Sequence, residues 1–151
     1  MEVRRVAMDL RPSTLDDLGI LATLSWFFRE LEAACRDVKV IKVFTVQEES
    51  VPGPLKITIF RILQEAVGNI IKHAKADLIH VNLNKAGDMI HLLIEDNGQG
   101  FDQAGMANYC TLEKGLGLMS MRERAKLSGG TFAIESTAGQ GTRIFVSWSC
   151  S

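Results

Sequence analysis

Two hydrophobic patterns divide the chain into predicted elements. Five short segments alternate apolar and polar residues, which predicts strands because successive strand side chains point to opposite faces. These segments are Val38–Val46, Leu78–Leu83, Met89–Glu95, Thr131–Thr137 and Arg143–Trp148. Helical spacing of apolar residues and capping signals predict helices over Ser13–Arg36, Pro54–Ala74 and Gly115–Ser128. Together these elements predict an α+β fold: a two-layer α/β sandwich with a mixed, mostly antiparallel sheet and helices on one face.

A polar row interrupts the second predicted helix. Arg61, Glu65, Asn69 and Lys72 are spaced so that all four lie on one face of an otherwise apolar helix. Oxygen ligands beside a cation suit Mg²⁺ and a polyphosphate. A solvated face with one or two ion pairs explains the row equally well, and we expect Arg61 to pair with Glu65 or another carboxylate.

The segment Asp96–Phe101 (DNGQGF) follows the third predicted strand. The Asp96 carboxylate only accepts hydrogen bonds, so it can take one from the exocyclic amine of adenine, whereas the carbonyl of guanine would be repelled. The glycines allow the backbone to approach a ligand closely. Taken alone, the same spacing also makes an ordinary tight turn.

Two further glycine segments follow. Gly115-Leu116-Gly117 opens the third predicted helix, where free N–H groups and the helix dipole can bind an anion, although a flexible loop end has the same pattern. Gly129-Gly130 ends this helix. Gly139–Thr142 (GQGT) joins the last two strands and predicts a hairpin turn.

In this order, the four segments resemble the ATP-binding domain of sensor histidine kinases, within the GHKL (Bergerat) superfamily that includes DNA gyrase, Hsp90 and MutL. Glu65 and Asn69 resemble the N box, Asp96–Gly100 the G1 box, Gly115–Gly117 the G2 box, and Gly139–Thr142 the last glycine motif. One departure from the kinases is Gly68, where they usually carry Thr or Asn.

The segment Met8–Ile20 (MDLRPSTLDDLGI) is similar to the linker that joins the dimerisation helices to the ATPase domain in kinases of the NarX/DesK type. We therefore expect residues 1–14 to be the end of a dimerisation helix and linker, and residues 15–151 to be the ATPase domain. Phe101–Lys114 lacks a clear period and is predicted as the mobile lid over the phosphates.

The resemblance implies a role for each motif residue. Asn69 ligates Mg²⁺, and Glu65 holds a metal-bound water or aligns the attacking group; these two are the expected catalytic residues. Asp96 selects adenine, supported by Thr142, and Lys72 contacts phosphates. His73 either contacts phosphates as well or is a residue of the helix surface. The expected ATP-binding residues are Asn69, Lys72, His73, Asp96, Gly98, Gly100, Gly115, Leu116, Gly117 and Thr142. The implied cofactors are ATP and Mg²⁺.

The resemblance also implies transfer of the ATP γ-phosphate to a histidine on an upstream dimerisation helix, for relay to a response regulator. None of His73, His80 and His91 resembles that acceptor, so we expect a catalytic fragment, monomeric alone and homodimeric in the full-length kinase. Two alternatives stay open: a nucleotide-binding switch without transfer, and an anti-sigma-factor serine kinase.

The composition agrees with one folded domain. The chain has 151 residues, 46% of them hydrophobic, and a net charge of −1, so nothing indicates a nucleic-acid partner. Without a long apolar run or a signal peptide, we expect no membrane contact by this chain. Cys35, Cys110 and Cys150 form no metal or disulfide pattern. Free thiols fit a cytoplasmic protein, or the cytoplasmic part of a membrane-bound sensor.

Overall fold

The computed structural model describes residues 13–100 and 112–150. The helices are α1 (Ser13–Ala34), α2 (Gly53–Asn69) and α3 (Leu112–Leu127). The strands are β1 (Lys39–Phe44), β2 (Leu78–Ala86), β3 (Met89–Asp96), β4 (Gly130–Ser136) and β5 (Thr142–Ser149). The expected dimerisation-helix end, the first part of the linker and residues 101–111 of the expected lid lie outside the described residues.

The five strands form one sheet in the order β1-β2-β3-β5-β4. β1 runs parallel to β2, and the other three neighbouring pairs are antiparallel. The predicted mixed, mostly antiparallel sheet is therefore confirmed, as is the hairpin of β4 and β5.

The core lies between the helices and one face of the sheet. Alternate residues of β2, β3 and β5 are buried on that face, which is the alternation that the sequence predicted. They are Ile79, Val81, Leu83, Ile90, Leu92, Ile94, Ile144, Val146 and Trp148. Phe27 and Phe28 of α1 are fully buried and pack edge to face, with Phe27 also against Phe60 of α2.

The opposite face of the sheet carries charged residues in one cross-strand row. Arg143 donates to Glu95 Oε2 from Nε at 2.8 Å and from a terminal nitrogen at 2.6 Å. His80 Nδ1 lies 3.6 Å from Glu95, and Glu135 lies 3.9 Å from Arg143. His80 and His91 are half-buried strand residues, and His91 Nδ1 lies 2.9 Å from Ser147 Oγ.

Several predicted boundaries were wrong. β1 is shorter than Val38–Val46, and the predicted loop Gln47–Gly53 contains a 3₁₀ turn at Glu48–Ser50. The second predicted helix is α-helical only to Asn69, because Ile70–Ala74 form a wider π turn that ends at Lys75 in a left-handed conformation (φ 55°). The α-helix remains regular through the buried Gly68.

Candidate nucleotide-binding site

A pocket opens between α2, α3 and the ends of β3 and β5. Its lining includes five of the residues that the sequence predicted, from three separate motifs. They are Asn69, His73, Asp96, Gly100 and Thr142. The structure thus brings together side chains that lie up to 73 residues apart in the sequence.

Asp96 and Thr142 form one wall of this pocket. Asp96 is only 7% exposed, and its Oδ1 accepts a hydrogen bond from Gly98 N at 2.7 Å. Because a carboxylate has acceptor sites on both oxygens, this bond fixes the side chain without exhausting its capacity to accept. Thr142 Oγ1 lies 2.8 Å from Ser136 Oγ, which donates to Gly141 O at 3.1 Å.

Two glycines allow the loops around Asp96 to pack closely. A Cβ on Gly98 would overlap the carbonyl group of Ala74, where the π turn ends. A Cβ on Gly141 would overlap the Asp96 carbonyl oxygen, and Gly141 also has φ +85°, which L residues rarely adopt. The loop after Asp96 can therefore approach Ala74 only because Gly98 lacks a side chain, and the turn before Thr142 can approach Asp96 only because Gly141 does.

Asn69 lines the pocket from α2, and Glu65, one turn earlier on the same helix, lies outside the pocket lining. The Asn69 Nδ2 atom is buried and has no hydrogen-bond partner within the described ranges. A buried N–H donor without a partner is costly, and an acceptor atom of a ligand would satisfy it. Gly117 packs against this pair, since a Cβ there would lie 2.5 Å from Glu65 Oε2 and 3.2 Å from Asn69 Nδ2.

The other predicted binding residues are Lys72, Gly115, Leu116 and Gly117. Lys72 is exposed on the helix and is not part of the pocket lining. Gly115, Leu116 and Gly117 were predicted to open α3, but α3 begins at Leu112, so they and the last residues of the expected lid are helical. The backbone N–H of Gly117 is then one turn inside the helix, where it is no longer a free N-terminal donor.

The expectation for Arg61 was also wrong. Its guanidinium donates to the neutral amide oxygen of Gln64 at 2.9 Å, instead of pairing with a carboxylate. Gln64 is buried, with 7% of its surface exposed. Arg61 is not among the residues that line the pocket.

Sequence reasoning missed the apolar part of the pocket. This part consists of Ala66, Ile70, Ala74, Ile94, Leu118, Ile134 and Ile144. Helical spacing from Asn69 could have found Ala66, Ile70 and Ala74, and strand alternation from Asp96 and Thr142 could have found Ile94 and Ile144. An apolar slot with a few polar groups at its edge suits a flat heteroaromatic ring.

Comparison with known proteins agrees with this arrangement. Residues 55–150 match the family described as "Histidine kinase-, DNA gyrase B-, and HSP90-like ATPase". The chain belongs to this family. The resemblance to histidine kinase ATP-binding domains that its motifs predicted is confirmed, and neither alternative is favoured.

Two curated relatives carry histidine kinase names. "Signal transduction histidine-protein kinase/phosphatase DegS" of Brevibacillus brevis is 37% identical over 149 residues, which are 97% of this chain and 36% of that protein. An "Uncharacterized sensor-like histidine kinase" of Chloroflexus aurantiacus is 35% identical over 147 residues, which are 96% of this chain and 25% of that protein. The chain thus spans about a quarter to a third of these relatives.

Solved structures share the fold. The histidine kinase domain of a blue-light activated histidine kinase from Erythrobacter litoralis aligns with a TM-score of 0.72 at 18% identity, covering 99% of this chain and 74% of that one. The Acinetobacter baumannii histidine kinase AdeS aligns with a TM-score of 0.66 at 13% identity, covering 98% and 76%. The predicted α+β sandwich is confirmed.

Two structural features are absent from the residues that the structure describes. No helix in these ranges has the length and apolar character needed to cross a bilayer. Residues 13–100 and 112–150 also contain no group of three or more His, Cys, Asp or Glu side chains able to hold a metal.

Proposed function

We propose that this domain binds ATP together with Mg²⁺ and transfers the γ-phosphate to a histidine on the dimerisation helices of the full-length kinase, for relay to a response regulator. The observation that carries the proposal is the convergence of Asn69, His73, Asp96 and Thr142 on one pocket. In the transfer, a bond forms between an imidazole nitrogen and the γ-phosphorus while the bond to the bridging oxygen breaks and ADP leaves.

The adenine ring would enter the slot beside Asp96. Its exocyclic amine would donate to the Asp96 carboxylate, whose orientation is already fixed by the Gly98 N–H. Thr142 lies beside Asp96 on the neighbouring strand and would support the same edge of the ring. Guanine presents an acceptor at that position, so the pocket should discriminate against GTP.

Asn69 and Glu65 would hold the metal end of the nucleotide. Mg²⁺ keeps several waters and binds through one or two protein oxygens plus phosphate oxygens, so two side chains and no larger acidic cluster suffice. Asn69 would bind the ion through its amide oxygen Oδ1, and its buried Nδ2, which has no partner among the described residues, would donate to a phosphate oxygen. When bound, Mg²⁺ would supply charge neutralisation for the phosphates. Glu65 would hold water or orient the attacking imidazole.

The phosphates would extend toward the start of α3. We propose that Gly115, Leu116 and Gly117 offer backbone N–H groups there and that His73 and Lys72 contribute side chains. Since α3 begins before these residues, its first turn would have to open to free their donors. Phosphoryl transfer depends mainly on positioning and charge stabilisation, which this set of groups can provide.

The domain would act in the cytoplasm as part of a homodimeric kinase. Incubated alone with labelled ATP, the chain should gain little acid-labile, base-stable phosphate, because no histidine here resembles the acceptor. With the dimerisation helices of its own full-length protein, it should label them slowly, since it lacks the tether that raises the effective concentration to roughly millimolar.

Two outcomes would overturn this proposal. Strong self-labelling at His80 or His91 would contradict the assignment of an external acceptor. Tight ATP binding without any labelling of the added helices would favour the nucleotide-binding switch. An Asn69→Ala chain in the same reaction is the control for contaminating kinase.

A further inference from the structure

Gln99 lies between the two glycines of the DNGQG segment and joins three parts of the site. Its side-chain Nε2 donates to the His73 carbonyl oxygen at 2.6 Å, and its backbone N donates to the Ala74 carbonyl oxygen at 2.7 Å. Its own carbonyl oxygen accepts from Gly139 N at 2.5 Å, in the turn that precedes Thr142.

The two acceptors on the helix side belong to the last residues of the π turn. Carbonyl groups at a helix end lack intrahelical N–H partners. The chain leaves the turn at Lys75, whose left-handed backbone (φ 55°) ends the helix. Gln99 therefore supplies, from outside the helix, the two donors that another turn would have provided.

We propose that Gln99 is a positioning residue for the nucleotide. It ties the end of the helix that carries Asn69 and His73 to the loop that follows Asp96, and so fixes the distance between the metal end and the adenine end of the site. π turns are rare and occur often at functional sites, and a wide turn without a tether could revert to ordinary helical spacing. The inference rests on the proposed function.

The neighbouring Asn97 shows that this arrangement is specific to Gln99. Asn97 Oδ1 accepts from Asp77 N and Leu78 N, both at 3.1 Å, and its Nδ2 donates to Asp77 Oδ1 at 2.7 Å. These bonds attach the loop to the start of β2 and not to the helix. Of the two side chains, Asn97 supports the sheet, whereas Gln99 supports the helix end that lines the pocket.

Three substitutions test the role in the folded chain. Gln99→Met keeps the length of the side chain but removes the donor, and Gln99→Glu removes the donor while adding a charge. Gln99→Lys keeps a donor. Because a hydrogen bond contributes about 0.5–1.5 kcal/mol, loss of the donor should weaken Mg²⁺·ADP binding roughly two- to tenfold. The lysine variant should bind within roughly twofold of the wild type.

Calorimetry is done at a temperature where thermal scans show every variant fully folded. Adenosine, which lacks phosphates, is the second probe. Its affinity should fall less than that of ADP in Gln99→Met, and the lysine charge in Gln99→Lys should not raise it. A shift of the Asn69 side-chain NH₂ resonances in Gln99→Met is the spectroscopic sign that the helix end has moved.

The results distinguish a failure of the proposed function from a failure of the positioning role of Gln99. Wild-type chain that binds no Mg²⁺·ADP overturns the proposed function itself. If Gln99→Met binds Mg²⁺·ADP as tightly as the wild type and the Asn69 resonances do not shift, only the positioning role is overturned. If only Gln99→Glu weakens binding, the effect comes from the added charge, and the positioning role is also overturned. Weakening in both Met and Glu variants, with recovery in Gln99→Lys, supports it.

Discussion

Asp96 and Thr142 are directly opposite each other in the register of β3 and β5. The adjacent residues on these strands, Glu95 and Arg143, form an ion pair on the other face of the sheet. One pair of neighbouring strands thus presents polar groups to the pocket and an ion pair to the outer face. A slip of one residue would exchange the two faces, so the register itself places Asp96 in the site.

Asp96→Asn should cripple nucleotide binding. The amide can present N–H groups to the adenine amine, and a hydrogen bond to a charged group contributes about 1.5–3 kcal/mol, so affinity should fall roughly ten- to hundredfold. Calorimetry with ATP and GTP measures this loss. Asp88→Asn, the same change in the exposed β2–β3 turn, is the control. Equal wild-type affinity for ATP and GTP would contradict the adenine role of Asp96.

Asn69→Ala should abolish metal-dependent transfer more than metal-free ADP binding, because the adenine contacts lie at the other end of the pocket. Titrations of ADP with and without Mg²⁺, together with the transfer assay on added helices, separate the two effects. Asn84→Ala, on the outer face of the sheet beside Asn82, serves as the matched control. A variant that loses metal-free binding but still transfers at saturation would be evidence against the metal role.

Gly98→Ala should abolish ATP binding or reduce it strongly, since the added methyl overlaps the Ala74 carbonyl group and must push the loop away from the helix end. Gly53→Ala is the control because a Cβ at Gly53 has no neighbour within 4 Å. Both variants are compared by calorimetry and thermal unfolding. If Gly98→Ala binds ATP like the control, the close approach at Ala74 is not needed for the site.

Glu48 provides a pH-dependent contribution to stability. It accepts the N–H groups of Ile20 at 2.8 Å and Leu21 at 3.0 Å, just after α1 is interrupted at Gly19, and lies 2.7 Å from Lys56 Nζ. Burial raises the pKa of the Glu48 carboxyl, but these hydrogen bonds and the Lys56 charge outweigh it and hold the pKa below its ordinary value of 4.5.

Because the folded pKa is depressed, the stabilisation is present above pH 4.5 and is lost as the pH falls through the folded value. Glu48→Gln should therefore reduce the free energy of unfolding at pH 7 by about 0.5–2 kcal/mol, as for loss of a helix cap. The difference from wild type should shrink in acid. Denaturant unfolding at several pH values measures it, and a difference independent of pH would refute the assignment.

The elements and the motif residues were predictable because their signals are local. Alternation predicted the strands that adjoin Asp96 and Thr142, which the structure extends by one residue each to include these two, and helical spacing placed Glu65 and Asn69 on one face. The π turn, the tether at Gln99 and the Glu48 contacts were not predictable. Each depends on a carbonyl or N–H group whose position is set by a segment more than 20 residues away.

The parallel pairing of β1 with β2 has a consequence for folding. Parallel neighbours require a crossover connection, and here the crossover contains α2 and the π turn, which carry Asn69 and His73. The ladder joins Lys39 to Leu78, a contact of long sequence separation whose loop-closure entropy must be overcome before it forms. The nucleotide site therefore cannot form as an isolated local motif, and a ligand that binds it stabilises the completed domain against unfolding as a whole.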